Sequence, residues 1–104
     1  MSTRDNGYAP SIMQKGDGCF LCGRRDRKLD RHEVFGGAYR SKSKAYGLWV
    51  LLCHEDCHQG KYGVHGNPSR ALDLKRLAQM EAEAVYTWTH DDFRRVFGKN
   101  FLED

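Results

Sequence analysis

The sequence lacks an apolar run long enough to cross a membrane: the longest lies at residues 47–52, whereas a spanning helix needs about 20 residues. Residues 1–5 also lack the apolar segment of a secretion signal. Internal repeats and low-complexity segments are absent as well. These absences lead us to expect a cytoplasmic protein with no membrane partner.

Hydrophobic residues are scarce, at 39% of 104 residues, while charged residues make up 30%. Ordering a residue costs on the order of 1–2 kcal/mol of conformational entropy, which a small core barely offsets. Domains of this kind are usually stabilised by disulfides, a metal or a partner chain. The chain has four cysteines and five histidines, and a reducing cytoplasm favours metal thiolates over disulfides.

The composition changes along the chain. Residues 1–16 show no periodic apolar pattern, which predicts a flexible N-terminal arm. Residues 17–104 form the predicted single domain. Its first part, to about residue 66, holds most of the cysteines, histidines and glycines and predicts short strands and tight loops. Its second part, from about residue 67 to 102, predicts helices.

Local signals bound two predicted helices. Asn67 and Pro68 form a helix-start signal, and Thr89 begins a second, shorter helix that Gly98 ends. Apolar residues at helical spacing fill the first of these helices. They are Leu74, Leu77, Ala78, Ala84, Val85 and Trp88.

Two cysteine pairs predict a zinc site. Cys19 and Cys22 are separated by two residues, as in a zinc knuckle, and Cys53 and Cys57 by three. Four thiolates complete a tetrahedral site, which typically contributes folding energy outright. Two alternatives are buried or unpaired thiols, and a mixed site in which a histidine, His54 or His58, replaces Cys57.

Three histidines flank two predicted strands. Residues 29–35 and 47–52 are predicted as strands, joined by a loop at residues 36–46 with three basic side chains. His32 lies in the first strand. His58 and His65 both follow the second. Asp30, His32 and Glu33 place several ionisable groups in one short strand, an arrangement that gains little unless the groups bind something.

These motifs resemble the HNH nucleases of the His-Me finger (ββα-metal) class. The resemblance covers residues 17–102 and rests on the CxxC knuckle followed by RHEVFGG at 31–37, LLC at 51–53, CH at 57–58 and GVH at 63–65. It is closest to a small phage and prophage branch related to recombination-associated nucleases. The implied fold is α+β: a zinc-stapled ββα-metal finger at about residues 17–66, followed by C-terminal helices.

The resemblance implies a metal-dependent DNA endonuclease that hydrolyses phosphodiester bonds in phage or prophage DNA processing or recombination. Its implied partners are DNA and a recombination or DNA-packaging protein. His32 matches the general base, with Glu33 sharing the base or ligand role. His58 and His65 match ligands of a catalytic divalent cation (Mg²⁺, Mn²⁺ or Zn²⁺), and Asp30 either binds that cation or fixes a histidine tautomer.

The chain departs from the class pattern in one respect. Residues 36–47 contain no Asn, and Tyr39 stands where one is expected. Asn67 could supply an amide, although a helix cap is its simpler role. This departure keeps open an alternative function, a catalytically inactive zinc-stapled module that binds nucleic acid or protein.

Basic residues near the strands predict contacts with phosphate. The net charge is +3, which permits contact with a phosphate chain without requiring it. Arg31, Arg40, Lys42 and Lys44 are the predicted DNA contacts, which would position the DNA without reading its sequence. The alternative is that they are solvated surface charges.

Overall fold

Two antiparallel strands form the centre of the fold. A computed structural model describes residues 7–60 and 63–102. In it β1 spans Leu29–Glu33 and β2 spans Trp49–Cys53. Leu29 pairs with Cys53, and Glu33 pairs with Trp49. Together with the helices this sheet makes an α+β fold, as predicted.

The segment between the strands is helical. A 3₁₀ turn at Gly37–Tyr39 leads into helix α1, Arg40–Tyr46, so the predicted loop at residues 36–46 is wrong. The Ser43 hydroxyl is fully buried; it donates to the carbonyl of Phe35 (2.8 Å) and accepts from the Phe35 amide (3.0 Å). Tertiary contacts of this kind fix a helix that has no side-chain N-cap, which explains why the local pattern did not reveal it.

Part of the predicted N-terminal arm is bound to the domain. The Ala9 amide donates to the Lys44 carbonyl (2.8 Å), and the Trp49 indole donates to the Ala9 carbonyl (2.7 Å). Further along, the Leu51 amide donates to Oε1 of Gln14 (2.9 Å). The arm prediction therefore does not hold for these hydrogen-bonded residues, and its first six positions lie outside the described residues.

Within the described part of the chain, three helical elements follow β2: a π-helical turn at His54–His58, helix α2 at Pro68–Tyr86 and helix α3 at His90–Phe97. None of the helices in the described ranges combines the length and the apolar character that crossing a membrane requires.

The ends of α2 and α3 follow the local signals. Oδ1 of Asn67 accepts from the amides of Ser69 (3.1 Å) and Arg70 (3.2 Å). Thr89 forms a reciprocal capping box with Asp92. Asn67 is thus a helix cap, which confirms its simpler predicted role.

The core lies between the sheet and the helices. Leu77 and Val85 are 46% and 51% exposed, so the predicted apolar face of α2 is partly wrong, and fully buried Gln79 and Ala82 take part in it instead. The Gln79 side chain bonds the amide of Phe101 (2.8 Å). The buried apolar residues include Phe35, Leu48, Val50, Leu52, Leu74, Ala78, Phe93 and Phe97.

Candidate metal centre

Four cysteines converge at one end of the sheet. The sulfurs of Cys19, Cys22, Cys53 and Cys57 all lie within 4.8 Å of one another, and all four are free thiols. This cluster could hold a zinc ion, which bears out the pairing predicted from their spacing. A tight turn forms the knuckle, where the Gly23 amide donates to the Cys19 carbonyl (2.8 Å).

Burial and neighbouring sulfurs control the acidity of these thiols. Burial raises the pKa of Cys57, and hydrogen bonding with the other three cysteines raises it further. Burial also acts to raise the pKa of Cys19, but bonds from the amides around Cys22 and Cys53 outweigh it and lower the pKa to about 6. A cation among the four sulfurs would relieve this crowding of thiolate charge.

Three histidines from three different segments form a second cluster. His32 lies on β1, His58 ends the π-helical turn, and His65 lies in the turn at residues 63–66. One ring nitrogen of each lies within 4.8 Å of those of the others. The closest pair is Nε2 of His58 and Nε2 of His65, 3.0 Å apart. The structure therefore brings together all three predicted histidines.

Backbone contacts hold His65 beside His58. The His65 amide donates to the His58 carbonyl (3.2 Å), and the Val64 amide donates to the carbonyl of Cys57 (2.9 Å). Gly63 permits this approach, since a Cβ there would lie 2.8 Å from the Cys57 carbonyl carbon. His65 thus reaches the cluster from a turn and not from a continuous helix, as the nearby glycines suggested.

Asp30 lies behind the cluster and contacts two histidines. A single carboxylate oxygen, Oδ2, lies 2.8 Å from Nδ1 of His58 and 2.5 Å from Nδ1 of His54. Burial acts to raise the pKa of Asp30, but the two histidine hydrogen bonds outweigh it and hold the pKa below its usual value. An ionised Asp30 can accept a hydrogen bond from a protonated Nδ1 of each ring. Nε2 of His58 is then available as a metal ligand.

His54 is the member of this network that the sequence analysis missed. It was weighed only as a replacement for a zinc-binding cysteine, yet it contacts Asp30 and forms, with Asp30 and His58, a third group of side chains that could hold a metal ion. The available signal was its spacing: His54 and His58 are four residues apart on one helical turn and can share one acceptor.

Burial and neighbouring charges make His32 a weaker base than a solvent-exposed histidine. Burial, followed by the charges of His58, His65 and Lys75, lowers the pKa of His32 to about 4. Burial also lowers the pKa of His65, with a further contribution from His58. Both rings are therefore neutral near pH 7, the form that can accept a proton or bind a metal.

Glu33 is not a member of the histidine cluster, although it and the three histidines line the same surface cleft. Its carboxylate accepts a hydrogen bond from the Tyr8 hydroxyl and lies 3.3 Å from Nε of Arg40. Burial and the bond to Glu33 raise the pKa of Tyr8 to about 12.

A cleft of about 410 Å³ opens over the three histidines. Of the predicted basic contacts, Arg31 and Arg40 line it, and so does Lys75 of α2, which sequence analysis did not single out. The other two lie elsewhere on α1: Lys42 donates to the Val96 carbonyl (2.8 Å), and Nζ of Lys44 lies 4.9 Å from the centre of the Tyr8 ring.

Comparison of the chain with models of protein families, with curated proteins and with solved structures finds no match. The function of the protein is therefore inferred from these side-chain clusters and from the cleft over the three histidines.

Proposed function

We propose that the protein is a metal-dependent DNA endonuclease of HNH type, acting in phage or prophage DNA processing or recombination. The observation that carries the proposal is the meeting of His32, His58 and His65 beneath a cleft. Three cations and one carboxylate line that cleft: Arg31, Arg40, Lys75 and Glu33. The order of elements supports a ββα-metal finger, because β1 supplies one histidine and the turn after β2 supplies another.

In this proposal the four cysteines hold a structural zinc. They lie at the end of β2 and on the knuckle that docks against it, where the Phe20 amide donates to the Leu51 carbonyl (2.7 Å). A zinc there would join the knuckle to the hairpin and stabilise a domain with a small core.

The histidine cluster fits a catalytic divalent cation. Nε2 of His58 lies 3.0 Å from Nε2 of His65, and Nδ1 of His58 contacts the Asp30 carboxylate. Imidazoles without an inner carboxylate suit Zn²⁺ better than Mg²⁺ or Mn²⁺, which prefer oxygen ligands. When bound, the cation supplies positive charge at the transferring phosphate and the departing oxygen.

The surrounding residues have separate roles in this scheme. His32 takes a proton from the attacking water, as a neutral imidazole can at cellular pH. Arg31, Arg40 and Lys75 hold the phosphate backbone at the cleft. The contact of Glu33 with Nε of Arg40, at 3.3 Å, supports a role in positioning Arg40, beside the shared base or ligand role that the resemblance implies.

A plasmid-nicking assay with Mg²⁺, Mn²⁺ or Zn²⁺ tests the proposal. His32→Ala should bind metal and DNA but lose on the order of 10²–10⁴-fold in cleavage rate, the usual contribution of a positioned base. His58→Ala should lose affinity for the divalent cation, so that more metal partly restores the rate. His90→Ala is the matched control, because His90 contacts Glu83 (2.7 Å) outside the cluster.

Two results would contradict the proposal. If His32→Ala, His58→Ala and His65→Ala all cut as fast as the wild type, the cluster is not the active site. If the protein binds DNA but cuts it with none of the three metals, the inactive binding module is favoured. The absence of Asn from residues 36–47 favours this alternative. Tyr39, at the position where an Asn is expected, packs near Phe97 (6.1 Å between ring centres).

A further inference from the structure

A second groove adjoins the histidine cleft. It measures about 360 Å³ and shares Gly36 and Lys75 with the cleft, so the two are adjacent. Its walls come from the segment after β1, the 3₁₀ turn, α2, the end of α3 and the segment that follows α3. Besides the shared residues they include Phe35, Tyr39, Phe97, Lys99 and Phe101.

Two ammonium groups lie close to the Phe101 ring in the wall of this groove. Nζ of Lys75 lies 5.7 Å from the centre of the Phe101 ring, and Nζ of Lys99 lies 5.4 Å from the same centre. Among the described residues that line the groove, none is acidic. Two cations held by one aromatic ring, without a carboxylate beside them in the described lining, form a site that suits an anion.

The groove also offers a neutral donor and an apolar floor. Phe35 and Phe97 are buried, and their apolar surface strengthens electrostatic attraction above it. The Tyr39 hydroxyl lies at the Gly98 backbone, so close that a Cβ on Gly98 would lie 2.2 Å from it. Gly98 has a φ of +80°, which favours glycine, and because it has no side chain the hydroxyl can lie at this wall.

We propose that the groove binds a phosphate of the DNA strand next to the one that is cleaved. This inference rests on the proposed nuclease function, because it assigns the groove to the same strand. Lys75 stands at the border and lines both depressions, so a strand that runs from the histidines past Lys75 brings its next phosphate to Lys99. Contacts of this kind position the strand without reading its bases.

Binding measurements in the His32→Ala background test the groove without cleavage. Lys99→Gln should lower the slope of log affinity against log salt by about 0.9 for duplex DNA, and weaken binding about five-fold at roughly 0.15 M salt. Tyr39→Phe should weaken binding less, since it removes a neutral donor. Lys15→Gln is the matched control; its exposed side chain lines a different depression, beside the cysteine knuckle.

Neutral linkages in the DNA locate the contact. With active protein, a methylphosphonate next to the cleaved position should slow cleavage, and Lys99→Gln should add little to that loss because both changes remove one interaction. The same variant should add its full loss when the neutral linkage lies further away. Thermal unfolding should show that Lys99→Gln and Lys15→Gln are equally stable.

Three outcomes overturn the inference, and they differ from one another. If Lys99→Gln binds and cuts like Lys15→Gln, the groove is not a phosphate site and the nuclease proposal stands. If Lys99→Gln lowers the cleavage rate by the same factor at every methylphosphonate position, Lys99 acts through long-range charge only. If the wild type neither binds nor cuts DNA, the proposed function fails and the groove assignment fails with it.

Discussion

Replacing Asp30 by Asn tests how the histidine cluster is organised. The substitution keeps the shape of the side chain but removes the charge that attracts Nδ1 of His58 and of His54. The Asn oxygen can accept from one ring, while its NH₂ group cannot accept from the other. We expect the zinc-loaded protein to stay folded and to lose affinity for the divalent cation at the histidines.

The geometry sets the size of that loss. The Asp30 and His58 side chains are 20% and 12% exposed, so their 2.8 Å contact is only partly screened by water. Losing a hydrogen bond to a charged group costs about 1.5–3 kcal/mol. Loss of a partner behind a ligating histidine typically lowers metal affinity about 10–100-fold, which corresponds to about 1.4–2.8 kcal/mol. The two estimates agree.

Calorimetric titration of the zinc-loaded protein with further Zn²⁺ measures this affinity without DNA. His54→Ala is the matched control, because it removes the other partner of Asp30 and leaves the contact with His58 in place. It should bind this second Zn²⁺ as tightly as the wild type. Equal affinity of Asp30→Asn and the wild type would refute the orienting role of Asp30, and a loss in His54→Ala equal to that in Asp30→Asn would show that His54 belongs to the site itself.

Three further predictions concern the zinc, the cleft and acid stability. We expect native mass spectrometry to detect one zinc in the wild type and none in Cys22→Ser, which should unfold by circular dichroism; a folded zinc-free chain would contradict the structural role of the cluster. Arg40→Gln should lower the salt slope of DNA binding by about one, whereas Arg94→Gln, which removes an exposed cation paired with Asp91, should not. Without added divalent cation, unfolding free energy should fall by about 1 kcal/mol more in wild type than in His32→Gln between about pH 7 and pH 5.5. The unfolded chain takes up a proton on His32 near pH 6.5, whereas the folded chain, with the His32 pKa lowered to about 4, does not. If the unfolding free energy has the same pH dependence in the wild type and in His32→Gln, the prediction is wrong.

Features set by near neighbours in the chain could be predicted from sequence. The spacing of the cysteines favoured one shared site, and their sulfurs do lie together. Asn67 and Thr89 were identified as helix caps because a cap depends on the side chain and the next few amides. The meeting of the three histidines followed from an expected pairing of two strands, and the register of β1 and β2 provides it.

Features set by distant contacts could not be predicted. Helix α1 depends on the buried Ser43 hydroxyl, whose partner Phe35 is eight residues away. Gln79 is fully buried because its side chain bonds Asn100 and Phe101, so a polar residue occupies a position where periodicity favours an apolar one. Lys75 has an ordinary helical setting in the sequence, and only the packing of α2 places it on the cleft.

The cysteine cluster and the cluster of His32, His58 and His65 are joined directly by the peptide bond between Cys57 and His58. An extra residue inserted at this bond would pull one of the two side chains out of its cluster, so the chain cannot change length there and keep both. A chelator would remove the proposed metal from both clusters. Removing zinc from the four thiolates would release the turn that carries His58, so under the proposed function activity lost in a chelating buffer would return only when zinc is restored together with the second cation.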